Sequence, residues 1–205
     1  MVSPSSVTIV NVGYRSANVW VVSAGTSRLL VDLGWPGMVG RLLANLGRQG
    51  IPLAEVRYGL ATHYHPDHAG AAQDLKNRGM RLILTEEQVE AVPRLKRWTK
   101  PKDGYTEITM HDNLVIRCAE SRAFLAQFGI AGEIVHTPGH SDDSITLVLD
   151  GGRAFVGDLA PEGLATDEVR AAVARSWQTL RDLGVTTIHA GHGPVRHIAA
   201  PFEER

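Results

Sequence analysis

The 205-residue chain has a single cysteine, Cys118, so it can form no intrachain disulfide and cannot build a thiolate-rich zinc or iron–sulfur site by itself. It also lacks an excess of either charge. Lys and Arg number 21 against 22 Asp and Glu, a formal net charge of -1. Proteins that grip nucleic-acid backbone carry a clear basic surplus, so no nucleic-acid partner is expected. Long hydrophobic runs are missing as well. Val19–Val22 and Leu29–Leu33 are among the most apolar stretches and are far too short to span a bilayer, so no membrane partner is expected. The opening MVSPSSVTIVNVGYR has no basic start followed by an apolar run, which reads as no secretory signal and a cytoplasmic protein. A hydrophobic fraction of 43% and a charged fraction of 21% are ordinary for a globular chain and exclude wholesale disorder. With no linker evident, residues 1–205 read as a single domain.

Short β-branched segments predict strands over Val7–Val12, Val19–Val22, Arg28–Asp32 and Val56–Ala61, then Arg81–Leu84 and Leu114–Cys118. Further strands are expected over Gly132–His136, Ser144–Leu149, Arg153–Val156 and Val185–Ile188, with a hairpin turn at Asp150-Gly151-Gly152. Apolar residues at helical spacing predict helices over Met38–Gln49, Ala69–Arg78 and Arg122–Phe128, and from Thr166-Asp167 to Leu183. Thr85 with Gln88 reads as a capping box opening a helix to Arg97, and Thr99–Gly104 as a loop. This order fits two sheets face to face with helices outside, although periodicity does not separate that from a doubly wound sheet.

What is abundant is histidine, with nine residues unevenly placed. HYHPDH puts His63, His65, Asp67 and His68 directly after an apolar strand. Imidazole and carboxylate suit zinc, and also iron or manganese. In extended chain the two-residue spacing points His63 and His65 to one face, and the turn after Pro66 lets Asp67 and His68 address a second ion. Three later Gly-containing loops each follow a predicted strand and offer one more ligand: His140, Asp158 and His192.

From Val7 to Pro194 the chain resembles the metallo-β-lactamase superfamily, on VDLG (Val31–Gly34), THYHPDHAG (Thr62–Gly70), TPGHSDDS (Thr137–Ser144), FVGD (Phe155–Asp158) and AGHGP (Ala190–Pro194). The resemblance implies an α/β fold, an αββα sandwich of two mixed sheets. It implies two Zn2+ (or Fe or Mn) per chain, with His63, His65 and His140 on one ion and Asp67, His68 and His192 on the other. Asp158 would bridge the two, and Asp67 and Asp158 are the expected catalytic carboxylates. Asp32 looks like a structural or ligand-orienting residue, or equally a strand-end turn. The bridging Asp158 brings the chain nearer to glyoxalase II-like and general hydrolase members than to true β-lactamases.

The activity so implied is hydrolysis of an ester, thioester, lactone or amide in a small molecule, by a water activated between two metals. A phosphodiesterase or nuclease of the same fold, and a non-hydrolytic metal-binding or redox module, are the alternatives. The absence of a G-x-S-x-G elbow excludes a serine hydrolase of that type. His136 and His189 read as satisfied structural histidines, His111 and His197 as exposed, and Cys118 as a small core residue. The cations Arg94, Lys96, Arg97, Lys100 and Lys102 around Trp98 read as a solvated helix face. Arg94–Tyr105 is expected to shape the pocket, and Tyr14-Arg15-Ser16 to stand at its rim.

Overall fold

Strands that are apolar on both faces need cover on both sides. Trp20, Val22 and Ala24 turn one way and Val19 and Val21 the other, and all five are buried. The computed structural model describes residues 7–24 and 27–198 and shows how each face is covered. The single unit expected over 1–205 therefore reaches past the described residues at both ends.

The first half of the chain supplies β1 (Thr8–Asn11), β2 (Trp20–Ala24), β3 (Ser27–Val31), α1 (Val39–Arg48), β4 (Val56–Leu60), α2 (Pro66–Ala69), α3 (Ala72–Lys76), β5 (Arg81–Thr85) and β6 (Leu114–Ile116). Its strands form one mixed sheet in the order β1-β2-β3-β4-β5-β6, antiparallel up to β3 and parallel from there. The second half supplies α4 (Ser121–Ala126), β7 (Gly132–His136), β8 (Ile145–Leu149), β9 (Arg153–Gly157), α5 (Arg170–Asp182), β10 (Thr187–Ala190) and β11 (Arg196–His197). These strands run β11-β10-β9-β8-β7, with β9 and β10 the parallel pair.

Three apolar layers follow. Between the sheets, Trp20, Val22, Leu29, Val31 and Leu60 meet Ile134, Leu147 and Phe155. Outside the first sheet, Val21, Leu30 and Leu82 pack on Leu42 and Leu46 of α1 and Leu75 of α3. Outside the second, Val156 and Ile188 pack on Val173, Trp177 and Leu180 of α5. Each fully buried Leu or Phe contributes roughly 1.5–3 kcal/mol relative to exposure. The result is the αββα sandwich. Because β4, β7, β9 and β10 all end on the side where they meet the histidine loops, the two sheets deliver those loops to one place.

Several elements differ from expectation for identifiable reasons. The helix expected over Ala69–Arg78 is split into α2 and α3. Gly70 lies so close to Pro36 that an added Cβ would collide with the proline ring nitrogen, and the Ala71 N–H donates to Gly34 O instead of continuing the helical ladder. The Thr85/Gln88 capping box forms, but it opens a 3-10 turn, Glu86–Gln88, followed by a second one, Val92–Trp98. Pro93 removes an N–H from that segment, and Gln88 Nε2 is drawn to Ala61 O at 2.8 Å. A short 3-10 turn, Pro101–Asp103, lies in the expected loop. The last long helix starts at Arg170, not Thr166, and the last expected strand is Thr187–Ala190. The strand expected over Leu114–Cys118 stops at Ile116. Cys118 is half-buried in a 3-10 turn, Cys118–Glu120, packed against the edge of the inter-sheet core rather than inside it. Burial, then the Glu87 carboxylate 3.6 Å away, pushes its thiol up to about 12. Among the described residues no helix is long and apolar enough to cross a membrane.

Candidate metal centre

The chain leaves β4 into Thr62–Gly70, and a single buried carboxylate organises this segment. Asp32, just past β3, adopts φ +62, a left-handed conformation uncommon for a non-glycine residue. Its Oδ1 accepts from Thr62 N (2.8 Å) and Thr62 Oγ1 (2.9 Å). Its Oδ2 lies 2.9 Å from His68 Nδ1, which must donate because a carboxylate only accepts. Thr62 Oγ1, its proton committed to Asp32, accepts from His63 Nδ1 at 3.2 Å. The network thus assigns both tautomers and leaves Nε2 of His63 and of His68 aimed away from the protein scaffold.

The other donors arrive one per loop: His140 after β7, Asp158 after β9 and His192 after β10. His192 Nδ1 donates to Ser16 O at 2.6 Å, which again frees Nε2. The loop carrying it is gripped from the start of the chain. Asn18 N donates to Gly191 O (2.7 Å), and Asn18 Nδ2 to Ala190 O (2.9 Å) and Gly193 O (2.8 Å). Gly191 has to be glycine, since a Cβ there would lie 2.5 Å from Asp158 Oδ1 and 2.6 Å from His68 Cε1.

Two triads result. His63 Nε2 and His140 Nε2 each stand 3.0 Å from His65 Nδ1. Asp67 Oδ2 stands 3.4 Å from His68 Nε2 and 3.2 Å from His192 Nε2. Asp158 lies between them, with Oδ1 3.4 Å from His68 Nε2, and Oδ2 3.3 Å from His192 Nε2 and 3.8 Å from His140 Nε2. Three groupings here have donor atoms close enough to share one cation: His63/His65/His140, His63/His68/Asp158 and Asp67/His68/His192.

The electrostatics point the same way. Burial, then the neighbouring imidazoles His68 and His140, hold His63 well below the usual histidine range. For His68, burial acts downward, but Asp32, Asp158 and Asp67 outweigh it and raise the pKa well above normal. Burial acts upward on Asp67 and Asp158, yet His68, whose Nε2 lies 3.4 Å from an oxygen of each, leaves both lowered. His68 Nε2 and Asp158 Oδ1 are buried without a hydrogen-bond partner, although they are neighbours. Five imidazoles and two carboxylates with converging donor atoms, two of them orphaned, fit divalent zinc, iron or manganese.

All seven residues singled out in the sequence, His63, His65, Asp67, His68, His140, Asp158 and His192, converge here. Asp32 orients His68, and Thr62 carries the link to His63. The orienting roles of Thr62 and Ser16 O, and the grip of Asn18, are not legible in the sequence, although Ser16 is expected at the rim. A backbone carbonyl such as Ser16 O leaves no sequence signal, whereas the Asp-Leu-Gly at the end of β3 did mark Asp32. His136 is exposed and donates Nε2 to Asp142 O at 2.7 Å. His189 departs from its expected satisfied state: it lies within β10, stacked on Phe155 at 4.8 Å, and neither ring nitrogen has a partner. His111 and His197 are exposed.

Two mixed sheets with helices outside, and this cluster beyond their strand ends, define a metallo-β-lactamase type of fold. Residues 12–192 match the Metallo-beta-lactamase superfamily, and the chain belongs to it. A beta-lactamase-like protein 2 homolog of Caenorhabditis elegans is 28% identical over 183 residues, 88% of this chain and 57% of that protein. An atrochrysone carboxyl ACP thioesterase of Claviceps purpurea (strain 20.1) is 27% identical over 192 residues, 89% of this chain and 52% of that enzyme. The chain therefore spans little more than half the length of these relatives. In three dimensions it is similar to a metallo-beta-lactamase family protein of Thermus thermophilus, with TM-score 0.71, 22% identity and coverage of 95% of this chain and 75% of that one.

Proposed function

We propose that the chain is a dinuclear metal-dependent hydrolase of a small-molecule ester or thioester, with lactones and amides as related substrates. The observation that carries this reading is the convergence of seven donors with the Asp158 carboxylate between two triads. His63, His65 and His140 would hold one divalent ion, Asp67, His68 and His192 the other, and Asp158 both. Zinc is the first choice, and iron or manganese would also fit the donor set. Ions bound there supply a lowered water pKa and a charge that polarises the scissile carbonyl. The chain's own residues do the rest. Asp32 and Ser16 O fix the orientation of His68 and His192, so the donor atoms are positioned before substrate arrives. Asp67 engages His68 and His192 through Oδ2, which leaves its second oxygen to take the proton of the attacking water and return it to the leaving group. The thioesterase name of a relative supports the choice of carboxylic-type bonds.

Metal content of tag-free protein, measured by plasma mass spectrometry alongside a hydrolysis panel, tests the proposal. Two ions per chain with turnover of esters or thioesters are expected. Less than one ion after reconstitution at neutral pH overturns it. Turnover of bis-(p-nitrophenyl) phosphate alone replaces it with a phosphodiesterase. Stoichiometric metal with no turnover replaces it with a metal-binding module.

A further inference from the structure

A cavity of about 370 Å³ lies beside the cluster, and none of the seven donors lines it. Its walls include Arg15, Trp35, Pro66, Trp98 and Lys102. Pro66 stands between His65 and Asp67 in the chain, and the Trp98 ring meets His65 edge-on with centroids 5.6 Å apart. The cavity thus opens onto the donor loop. Trp98 is 65% exposed, an unusual place for the largest apolar side chain unless it has something to cover.

Trp98 also lines a second cavity, together with His65 and His140, and the two differ in charge. The second has Glu87, Glu90, Asp142 and Asp143 in its wall against Arg94, which is itself 3.9 Å from Glu90. The first has Arg15 and Lys102 against Asp103, whose Oδ2 already accepts from Lys100 N at 2.7 Å. Among the described residues neither Arg15 nor Lys102 makes an ion pair or a side-chain hydrogen bond.

Arg15 is carried with some care. It lies in the turn between Tyr14 and Ala17 at φ +57, a conformation that persists in a non-glycine residue only when its surroundings impose it. Tyr14 Oη accepts from Trp35 N at 3.1 Å, and Ser16 O holds His192. The Arg15 guanidinium lies over the Trp35 ring, 5.4 Å from its centroid. A guanidinium with no acceptor, set on a wall that leads to the donor cluster, is suited to a planar anion, and Lys102 adds a second, mobile charge.

We propose that this cavity receives a carboxylate or phosphate at one end of the substrate, bound by Arg15 and Lys102 between Trp35 and Trp98. The acidic cavity that shares Trp98 disfavours the same group. The inference rests on the hydrolase reading above for the position of the scissile bond, but not for the anion site itself.

Matched esters test it on the metal-loaded protein: p-nitrophenyl hemiglutarate, with its terminal carboxylate, against p-nitrophenyl valerate. Glutarate and phenyl phosphate binding is followed by tryptophan fluorescence. The wild type should prefer the hemiglutarate in kcat/KM. The Arg15→Gln/Lys102→Gln double variant should lose that preference and bind glutarate about tenfold more weakly, with metal content unchanged. Lys102→Glu, an exposed replacement, should turn the preference towards the ester of 5-aminovaleric acid. Tighter binding of phenyl phosphate than of glutarate selects a phosphate tail, and the reverse selects a carboxylate. If both esters react equally and the glutarate Kd is the same in wild type and double variant, the inference fails while the hydrolase stands. If no ester reacts but the double variant still loses glutarate, the hydrolase reading fails while the anion site stands.

Discussion

The two sheets contribute to the candidate metal centre in opposite ways. The first gives four donors from one six-residue segment, His63 to His68, with Asp32 behind it holding Thr62 and His68 at once. The second gives three donors from three loops, and each depends on a different strand end. His63 and His68 are buried, whereas His140 is exposed and His192 and Asp158 are half-buried. A compact segment backed by one carboxylate is set by local geometry. A distributed trio is set by how the sheets face each other, through links such as Ile145 N donating to Thr62 O at 2.8 Å, Tyr64 N to Asp143 Oδ2 at 2.7 Å and the Asn18 contacts to the β10 loop. Local donors resist disturbance at a distance, and distributed donors report it.

Removing the carboxylate between the triads should have the largest effect, because it links the compact segment to the distributed trio. Asp158→Ala should cost both bound metal and turnover, the latter by about a hundredfold or more, since several kcal/mol of charge stabilisation are lost. Metal analysis with kcat/KM checks it, and His111→Ala, at an exposed residue outside the cluster, should leave both unchanged. Next, Asp32→Asn keeps the size of the side chain but weakens its hold on His68. A loss of about 10–100-fold in metal affinity or activity is expected, and a competitive chelator titration would read it. An unchanged affinity would mean that the first segment is rigid without its buried acid. Gly157→Ala strikes the seam between the halves. Gly157 has φ +55, and an added Cβ would collide with Thr62 Oγ1. Stability should fall by about 1–3 kcal/mol in denaturant melts, with the donor residues themselves untouched.

The smallest effect concerns His189, behind the distributed half. Burial, then the charges of Arg153 and His197, push its imidazole down to about 4 from the ordinary 6.5. Between those values the unfolded chain binds a proton that the folded chain refuses. Its contribution to stability is therefore complete above pH 6.5 and is lost as the pH falls towards 4. His189→Leu should flatten this part of the stability–pH curve by on the order of 1 kcal/mol, after allowance for partial solvent screening. Urea midpoints at neutral and mildly acidic pH compare the slopes, and parallel curves would remove His189 from the account.

The same contrast decides what the sequence could disclose. The first segment is legible because its chemistry is contiguous: HYHPDH announces four donors at once. The second trio is legible only as three separate strand-end loops, and their meeting depends on sheet packing. The order of strands and helices foretold layers, but β7 to β10 read alike whether they form a second sheet or extend the first. Helix boundaries failed where tertiary contacts override local preference, at Gly70 against Pro36 and at Gln88 reaching for Ala61. His189 misled because its neighbours in space, Phe155 and Trp20, are far away in the chain. Arg15 and Lys102 do lie in the two segments expected around the pocket, but their meeting in one cavity depends on tertiary packing.

The grip of Asn18 and Ser16 on the loop that bears His192 has a consequence for biosynthesis. These contacts join residues 172 to 176 positions apart. One anchor is among the first pieces of the fold to leave the ribosome, and the residue it orients is among the last. Closing so long a loop is entropically costly and comes late in assembly. From the emergence of His68 until that of His192, the nascent chain carries an incomplete chelating set. A cation met in that interval is held by fewer donors and exchanges freely. Durable capture of an ion there would wait for the segment bearing His192 to reach Ser16 and Asn18, which ties loading to assembly of both sheets.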